Sequence, residues 1–511
     1  MKRGRQPREG NPAWILVFVA WAGLACGCAS TPATRASNHA TIEVGECLSY
    51  LEALDGAASA HGVIDAEAAR VPGYPFLRTD RFLASFPPGT LDPDTFGEWL
   101  ERLQALDLDG RRIEIANLPG QVRADLAVRF GLGGYEPQPL VDRVARCGTL
   151  LRQALTDSPD LYADLATRVA VPDAYRDWQR VMGLYPLIQI PFSVGVRRWQ
   201  TETEREFATP LAALPRQGEL VRYLPPTAPV PAPSATAARL ERWRDNPLRI
   251  PDPTPEELHG LLLGHAPILV IDTGSNQDRI GAIELDPTGR SRVATDAPVV
   301  YAYASHARWR GGIVLQLNYV IWFPSRPSDG AFDVLSGHLD GITWRLTLAP
   351  DGSVLIADTI HNCGCYHLFF PSAALRPVAY GAAVEEQPFV PQRLPGLEPG
   401  GRFALRIASR THYLQRVTGT AGEAEHGQRY EVRHYDTLRS LGAGKEGRAS
   451  LFGPDGIVPG TKRGERFLFW PMGVPDPGAM RQRGHHATAF VGRRHFDDPW
   501  LLERSFVPVD P

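Results

Sequence analysis

The chain reads as an α+β protein: a mainly helical N-terminal domain followed by a β-rich C-terminal half with mostly antiparallel strands. Between about residues 41 and 222, apolar side chains recur three or four positions apart, as in Phe96, Trp99, Leu100, Leu103 and Leu106. That spacing lines one face of a helix. Beyond about residue 265 the apolar residues fall into short alternating or continuous runs, at 268–271, 299–303, 313–323, 342–348 and 354–360, with Gly, Pro and Asp between them. This is the texture of strands and turns. The 49 Gly and 46 Pro among 511 residues fit the same picture of many tight connections.

At the N-terminus Lys2, Arg3, Arg5 and Arg8 precede an apolar run over residues 13–25. Thirteen residues are too few to span a bilayer, which takes about 20, but they suit the hydrophobic region of a signal peptide. The run ends in Ala25-Cys26-Gly27-Cys28-Ala29-Ser30-Thr31. This resembles the lipobox of bacterial lipoproteins, in which small residues precede a cysteine that is acylated and becomes the mature N-terminus. The resemblance implies a signal peptide over 1–27, lipidation at Cys28 and a membrane partner reached through that lipid anchor. Ala29 after the anchor implies the outer membrane of a bacterial envelope, facing the periplasm. Acylation at Cys28 also leaves Cys47, Cys147, Cys363 and Cys365, an even set suited to an oxidising compartment.

Residues 28–40 are small and polar and read as a tether. In the helical domain over 41–222, Asp92-Pro93-Asp94 supplies a cap, a proline and an acidic residue at a helix start. Residues 141–155 and 174–182 repeat the helical spacing. Cys47 and Cys147 each sit in one of these stretches, and a disulfide between them is the favoured pairing. The proline-rich segment around 224–233 marks a linker over 223–245. A β-rich domain then covers 246–400, and a C-terminal α/β or β extension covers 401–511. Charged residues are 22% of the chain and the net charge is −3, which does not suggest a nucleic-acid partner. Only three lysines stand against 51 arginines, which we read as a compositional bias.

The most chemically loaded stretch is Asp358-Thr-Ile-His-Asn-Cys-Gly-Cys-Tyr-His367. Imidazole and thiol groups are the side chains most used for nucleophilic catalysis, metal ligation and redox chemistry. Residues 346–355 read as a hairpin turning at Pro350-Asp351. A two-residue turn would set Asp340 opposite His361 and His338 opposite Cys363, placing all four on one sheet face. Four readings follow. In the first, Cys363 or Cys365 is a nucleophile, His338 or His361 its base, and Asp340 or Asp358 orients the imidazole. That arrangement is similar to the His-plus-Cys hairpin of L,D-transpeptidases, although their Ser/Thr-His-Gly-Cys signature and following arginine are not matched. In the second, some of His338, His361, Cys363, Cys365 and His367 bind zinc or copper. In the third, Cys363 and Cys365 form a redox pair. In the fourth, the cysteines and histidines are structural.

Other motifs are weaker. Asp272-Thr-Gly-Ser275 resembles the aspartic-peptidase motif, but no second copy supplies the partner carboxylate; the alternative is a strand-to-turn cap. His485, His486, His495, Asp497 and Asp498 surround a short strand and offer ligands or a base to the central site. Arg308, Trp309, Trp322, Phe323 and Arg326 read as pocket lining or core. The expectation is a membrane-anchored periplasmic lipoprotein with a Cys/His site, a thiol-dependent hydrolase or transferase acting on cell-envelope material. The alternative is a non-enzymatic envelope lipoprotein that binds a metal or a cell-wall or protein partner.

Overall fold

The computed structural model describes residues 42–86, 91–134, 136–156, 159–330, 332–378, 384–420, 426–444 and 447–509. Cys28, the signal peptide and the tether lie outside these residues. Helices Ile42–Ala60, Pro93–Asn117, Gly120–Arg129, Pro137–Thr156 and Pro159–Arg168 build the N-terminal part. The predicted cap is present: the Asp92 carboxylate accepts from the backbone N–H groups of Asp94 and Thr95, with Pro93 at the first helical position. Phe96, Trp99, Leu100 and Leu103 from this helix fill a core shared with Leu140, Val144 and Leu151. A disulfide joins Cys47 to Cys147 and pins the first helix to the helix Pro137–Thr156.

The rest is β-rich, and α+β describes the whole. A six-stranded sheet runs in the order 368–371, 354–361, 337–348, 312–326, 299–309, 431–434, antiparallel except for its last pair. A five-stranded mixed sheet runs 414–420, 402–407, 268–273, 219–224, 428–429. Apolar side chains from facing sides of both sheets, among them Leu269, Leu405, Leu317 and Trp344, share one core. The other side of the six-stranded sheet is covered by loops and short helices of residues 435–506.

Two expectations change here. The segment 223–245 is built into the fold and is not a free linker. It holds the end of the strand Glu219–Leu224 and the helix Pro233–Trp243, whose Leu240 and Trp243 are buried in the common core. The helix Tyr185–Ala208 belongs with the β-rich half, because its Phe207 enters that core too.

The hairpin turn is longer than two residues. Leu348 pairs with Val354 around a five-residue connection, and an irregularity follows between Val354 and Ile356. His361 therefore pairs with Ile342, two residues along from the expected Asp340. A shift of two preserves the face, so Asp340 and His361 still meet.

Candidate functional site

The turn after the strand Val354–His361 places the reactive side chains. It closes through the His361 N–H donating to the Cys365 carbonyl (2.9 Å) and the Gly364 N–H donating to the His361 carbonyl (2.7 Å). Gly364 has φ +96°, and a Cβ there would sit 2.5 Å from the Ala487 carbonyl oxygen. Only glycine fits this bend, and the bend brings both thiols and His367 onto the wall of one cavity. That cavity has a volume of about 740 Å³, within the span of roughly 300–1,000 Å³ typical of small-molecule sites. Its walls are mostly apolar: Ile188, Phe192, Val196 and Trp199 of the helix Tyr185–Ala208 face Phe389, Phe469 and Phe490. The polar groups on the wall are few. They include Cys363, Cys365, His367, Tyr366, Tyr413 and Glu465.

Cys363 and Cys365 are free thiols, the first buried and the second half-buried. The Cys365 S–H donates to the Cys363 sulfur, which lowers the Cys363 pKa, with the Arg463 guanidinium adding to the effect. The same bond and burial raise Cys365 well above the usual thiol value. Cys363 is thus the more acidic thiol of the pair and Cys365 its hydrogen-bond donor.

His367 is the imidazole that shares the cavity with these thiols. Its Nε2 lies 2.8 Å from Asp358 Oδ2, and Asp358 is clamped bidentately by Arg345 at 2.9 and 2.5 Å. Burial opposes charge on Asp358, yet Arg345 and His367 outweigh it and hold its carboxyl below the usual range. An ionised Asp358 fixes the tautomer with the proton on Nε2 and leaves Nδ1 a bare acceptor. That Nδ1 is buried and has no hydrogen-bond partner among the described residues. Burial lowers the His367 pKa to about 4 despite Asp358, so the ring is neutral at pH 7. Phe369 stacks on it at 4.1 Å. Two acids line the wall, Glu386 and Glu465, and burial raises both; it pushes Glu465 up to about 7, against the pull of Arg463 and Arg326. A carboxyl poised there exchanges protons at neutral pH.

A second His–Asp cluster lies on the opposite face of the sheet. Asp340 Oδ2 is 2.8 Å from His412 Nδ1 and its Oδ1 is 3.6 Å from His361 Nδ1, while Asp278 lies 3.4 Å from His412 Nε2. Burial disfavours the charged His412, but the two carboxylates outweigh it and raise its pKa. The cluster reaches the cavity through Tyr366 and Tyr413, which sit edge-on to the His361 ring at 5.0 and 5.4 Å.

The expected quartet is therefore split. His361 and Asp340 are together, but they are behind the cavity wall. Cys363 packs on the other face. His338 pairs with Ser325, and its ring bonds Ser291 at 3.2 Å, which removes it as a base for either cysteine. The five residues of the metal set, His338, His361, Cys363, Cys365 and His367, do not converge. No group of three or more His, Cys, Asp or Glu among the described residues is arranged to hold one ion. His367, which lines the cavity with the thiols, was expected only as a metal ligand. Its signal was available in Asp358 and Phe369, which pair across the short hairpin. Glu465 and Tyr413 come from distant loops and carry no local signature.

The remaining motifs are structural. Asp272 accepts from the backbone N–H groups of Gln217 and Gly218, both at 2.8 Å, which is a turn cap. His485, His486 and His495 bond Ala66, Asn362 and Asp173. Asp497 pairs with Arg81, and Asp498 caps the Trp500 N–H. Trp322 and Phe323 are core, and Arg326 packs over Tyr413. Arg308 lies over the rings of Phe86 and Trp500, while Trp309 is buried on the outer face of the sheet. Comparison of the chain with protein-family models, curated proteins and solved structures returned no match.

Proposed function

We propose that the protein is a thiol-dependent acyl hydrolase or transferase of the bacterial envelope, anchored by an acylated Cys28 and acting on acyl-bearing envelope material. The observation that carries this reading is that a hydrogen-bonded thiol pair and an Asp-oriented, neutral imidazole line the wall of one largely apolar cavity. Cys363 Sγ attacks the acyl carbonyl after His367 Nδ1 takes its proton, forming the S–C bond of a thioester. The leaving oxygen or nitrogen departs with a proton from Glu465, whose pKa of about 7 keeps it partly protonated. Water, or a second acceptor, then cleaves the thioester and restores the thiol. Apolar walls select an acyl chain and exclude water from the intermediate.

The test is hydrolysis of p-nitrophenyl esters of increasing chain length by the purified protein. The reading expects turnover that rises with chain length and is lost in Cys363→Ser. Turnover absent at every length, with the ester still bound, would instead leave a carrier of apolar ligands.

A further inference from the structure

The surface beside the cavity mouth is unlike the rest of the molecule. Of the 15 large hydrophobic side chains exposed among the described residues, nine lie in two segments, 178–194 and 467–468. These include Trp178, Met182, Leu187, Ile190, Val194 and Phe467, each more than half exposed. The helices Asp177–Met182 and Tyr185–Ala208 and the turn Trp470–Met472 that follows Arg466–Phe469 pack against one another, so the nine side chains sit on neighbouring elements. The helix Tyr185–Ala208 also lines the cavity with its other side, making it apolar all round over its first half. A helix of that kind is normally covered on every face by protein or lipid.

We propose that this face docks on a phospholipid bilayer, with the first half of the helix Tyr185–Ala208 lying in the headgroup–acyl boundary and the cavity opening beside the lipid. Three observations select lipid as the occupant. From Trp178 to Thr201 no acidic residue interrupts the apolar stretch, and Arg197 and Arg198 close it, Arg198 being shared with Glu202 at 3.0 Å while Arg180 turns inward to the Met472 and Gly492 carbonyls, which suits an anionic leaflet. The polar side chains within the apolar stretch satisfy themselves: Ser193 Oγ donates to the Ile190 carbonyl (2.7 Å) and Gln189 Nε2 to the Pro186 carbonyl (3.3 Å), as a nonaqueous setting requires. The chain from Cys28 to Ile42 spans at most about 50 Å when extended, so an anchor at Cys28 holds the body at the membrane surface. This last point rests on the lipidation reading; the first two do not. No helix among the described residues is long and apolar enough to cross a membrane, which fits a helix lying in the interface.

The full chain is reconstituted in vesicles of phosphatidylethanolamine and phosphatidylglycerol that contain a phospholipid with a diazirine near its headgroup. Illumination and peptide mapping should find lipid adducts on residues 177–194 and 466–469. In Leu187→Glu/Ile190→Glu these adducts should fall roughly tenfold, while adducts on the N-terminal peptides persist. Met182 is an internal reporter, since Met472 and Met480 are fully buried. Its oxidation by hydroxyl radicals should be slow in wild type and fast in the variant, with Met472 and Met480 inert in both as proof of folding. Adducts confined to the N-terminal peptides overturn the proposal. Met182 protection that is lost on dilution also overturns it, assigning the face to a second copy of the chain. Neither outcome touches the thiol chemistry, which is read separately on soluble esters.

Discussion

Replacing Asp358 with Asn isolates the role of the buried His367–Asp358–Arg345 network. Both Asp358 and Arg345 are almost fully buried, and their two contacts of 2.9 and 2.5 Å make a bidentate pair. Arg345 gives a further N–H to the Phe496 carbonyl at 2.6 Å and stacks over the Phe496 ring at 3.6 Å, so it has nowhere to retreat. Asn leaves that guanidinium charged and buried without a counter-ion, which costs about 3–5 kcal/mol. With a denaturant slope of about 3 kcal/mol per molar urea, the unfolding midpoint should drop by about 1 M or more. Pairing Asp358→Asn with Arg345→Met removes the stranded charge, so the double variant should recover most of the loss. It should not recover thiol reactivity, because His367 remains without its carboxylate. Urea melts followed by tryptophan fluorescence, run beside a thiol alkylation assay, separate the two effects. A single variant as stable as wild type, or a double variant that regains full reactivity, would refute the reasoning.

Other expectations follow from the same geometry. Reducing the Cys47–Cys147 bond, which closes 100 residues of chain, should cost the helical part about 4–5 kcal/mol in the loop-entropy account, read as a fall in its melting temperature by far-UV circular dichroism. Glu465 is raised from 4.5 to about 7, so the folded state holds its proton more tightly than the unfolded chain. Its contribution is fully present below about pH 4.5 and is lost as pH rises to about 7, a swing of about 3 kcal/mol. Glu67 is also raised to about 7 and acts in the same window, so Glu465→Gln should flatten this decline only in part, as pH-dependent urea melts will show. Cys365→Ala removes the hydrogen bond that lowers the Cys363 pKa; the pH midpoint of Cys363 alkylation should rise, and an unchanged midpoint would refute the assignment of Cys363 as the more acidic thiol. Gly364→Ala forces a side chain into φ +96° and against the Ala487 carbonyl, a strain of about 1–3 kcal/mol that should slow alkylation of both thiols together.

Local periodicity made much of the fold legible. The spacing of Phe96 to Leu103 and the Asp92-Pro93 start fixed one long helix, and the alternating runs after residue 265 became the central strands. The meeting of Asp340 with His361 was legible because a sheet face depends only on parity; the register was not, because the five-residue connection after Leu348 carries no unique turn signal. The bases read from the sequence, His338 and His361, do not line the cavity that Cys363, Cys365 and His367 share. His367 joins the thiols on the cavity wall through the bend at Gly364, the break in the strand that residues 361–367 need before their side chains can converge. Glu465, Tyr413 and the helix Tyr185–Ala208 reach the cavity from remote segments, and long-range packing of that kind leaves no periodic trace. The helix Tyr185–Ala208 falls inside the stretch read as helical, but Pro191 within it blurs its bounds.

The central claim is that Cys363 carries an acyl group during turnover. Rapid acid quenching of the protein with a long-chain acyl ester, followed by intact-mass and peptide analysis, tests it directly. One added acyl group is expected on Cys363, labile to neutral hydroxylamine, absent in Cys363→Ser and persistent in His367→Ala once excess ester has forced its acylation. Turnover without any adduct on Cys363, or an adduct located on another residue, would contradict it.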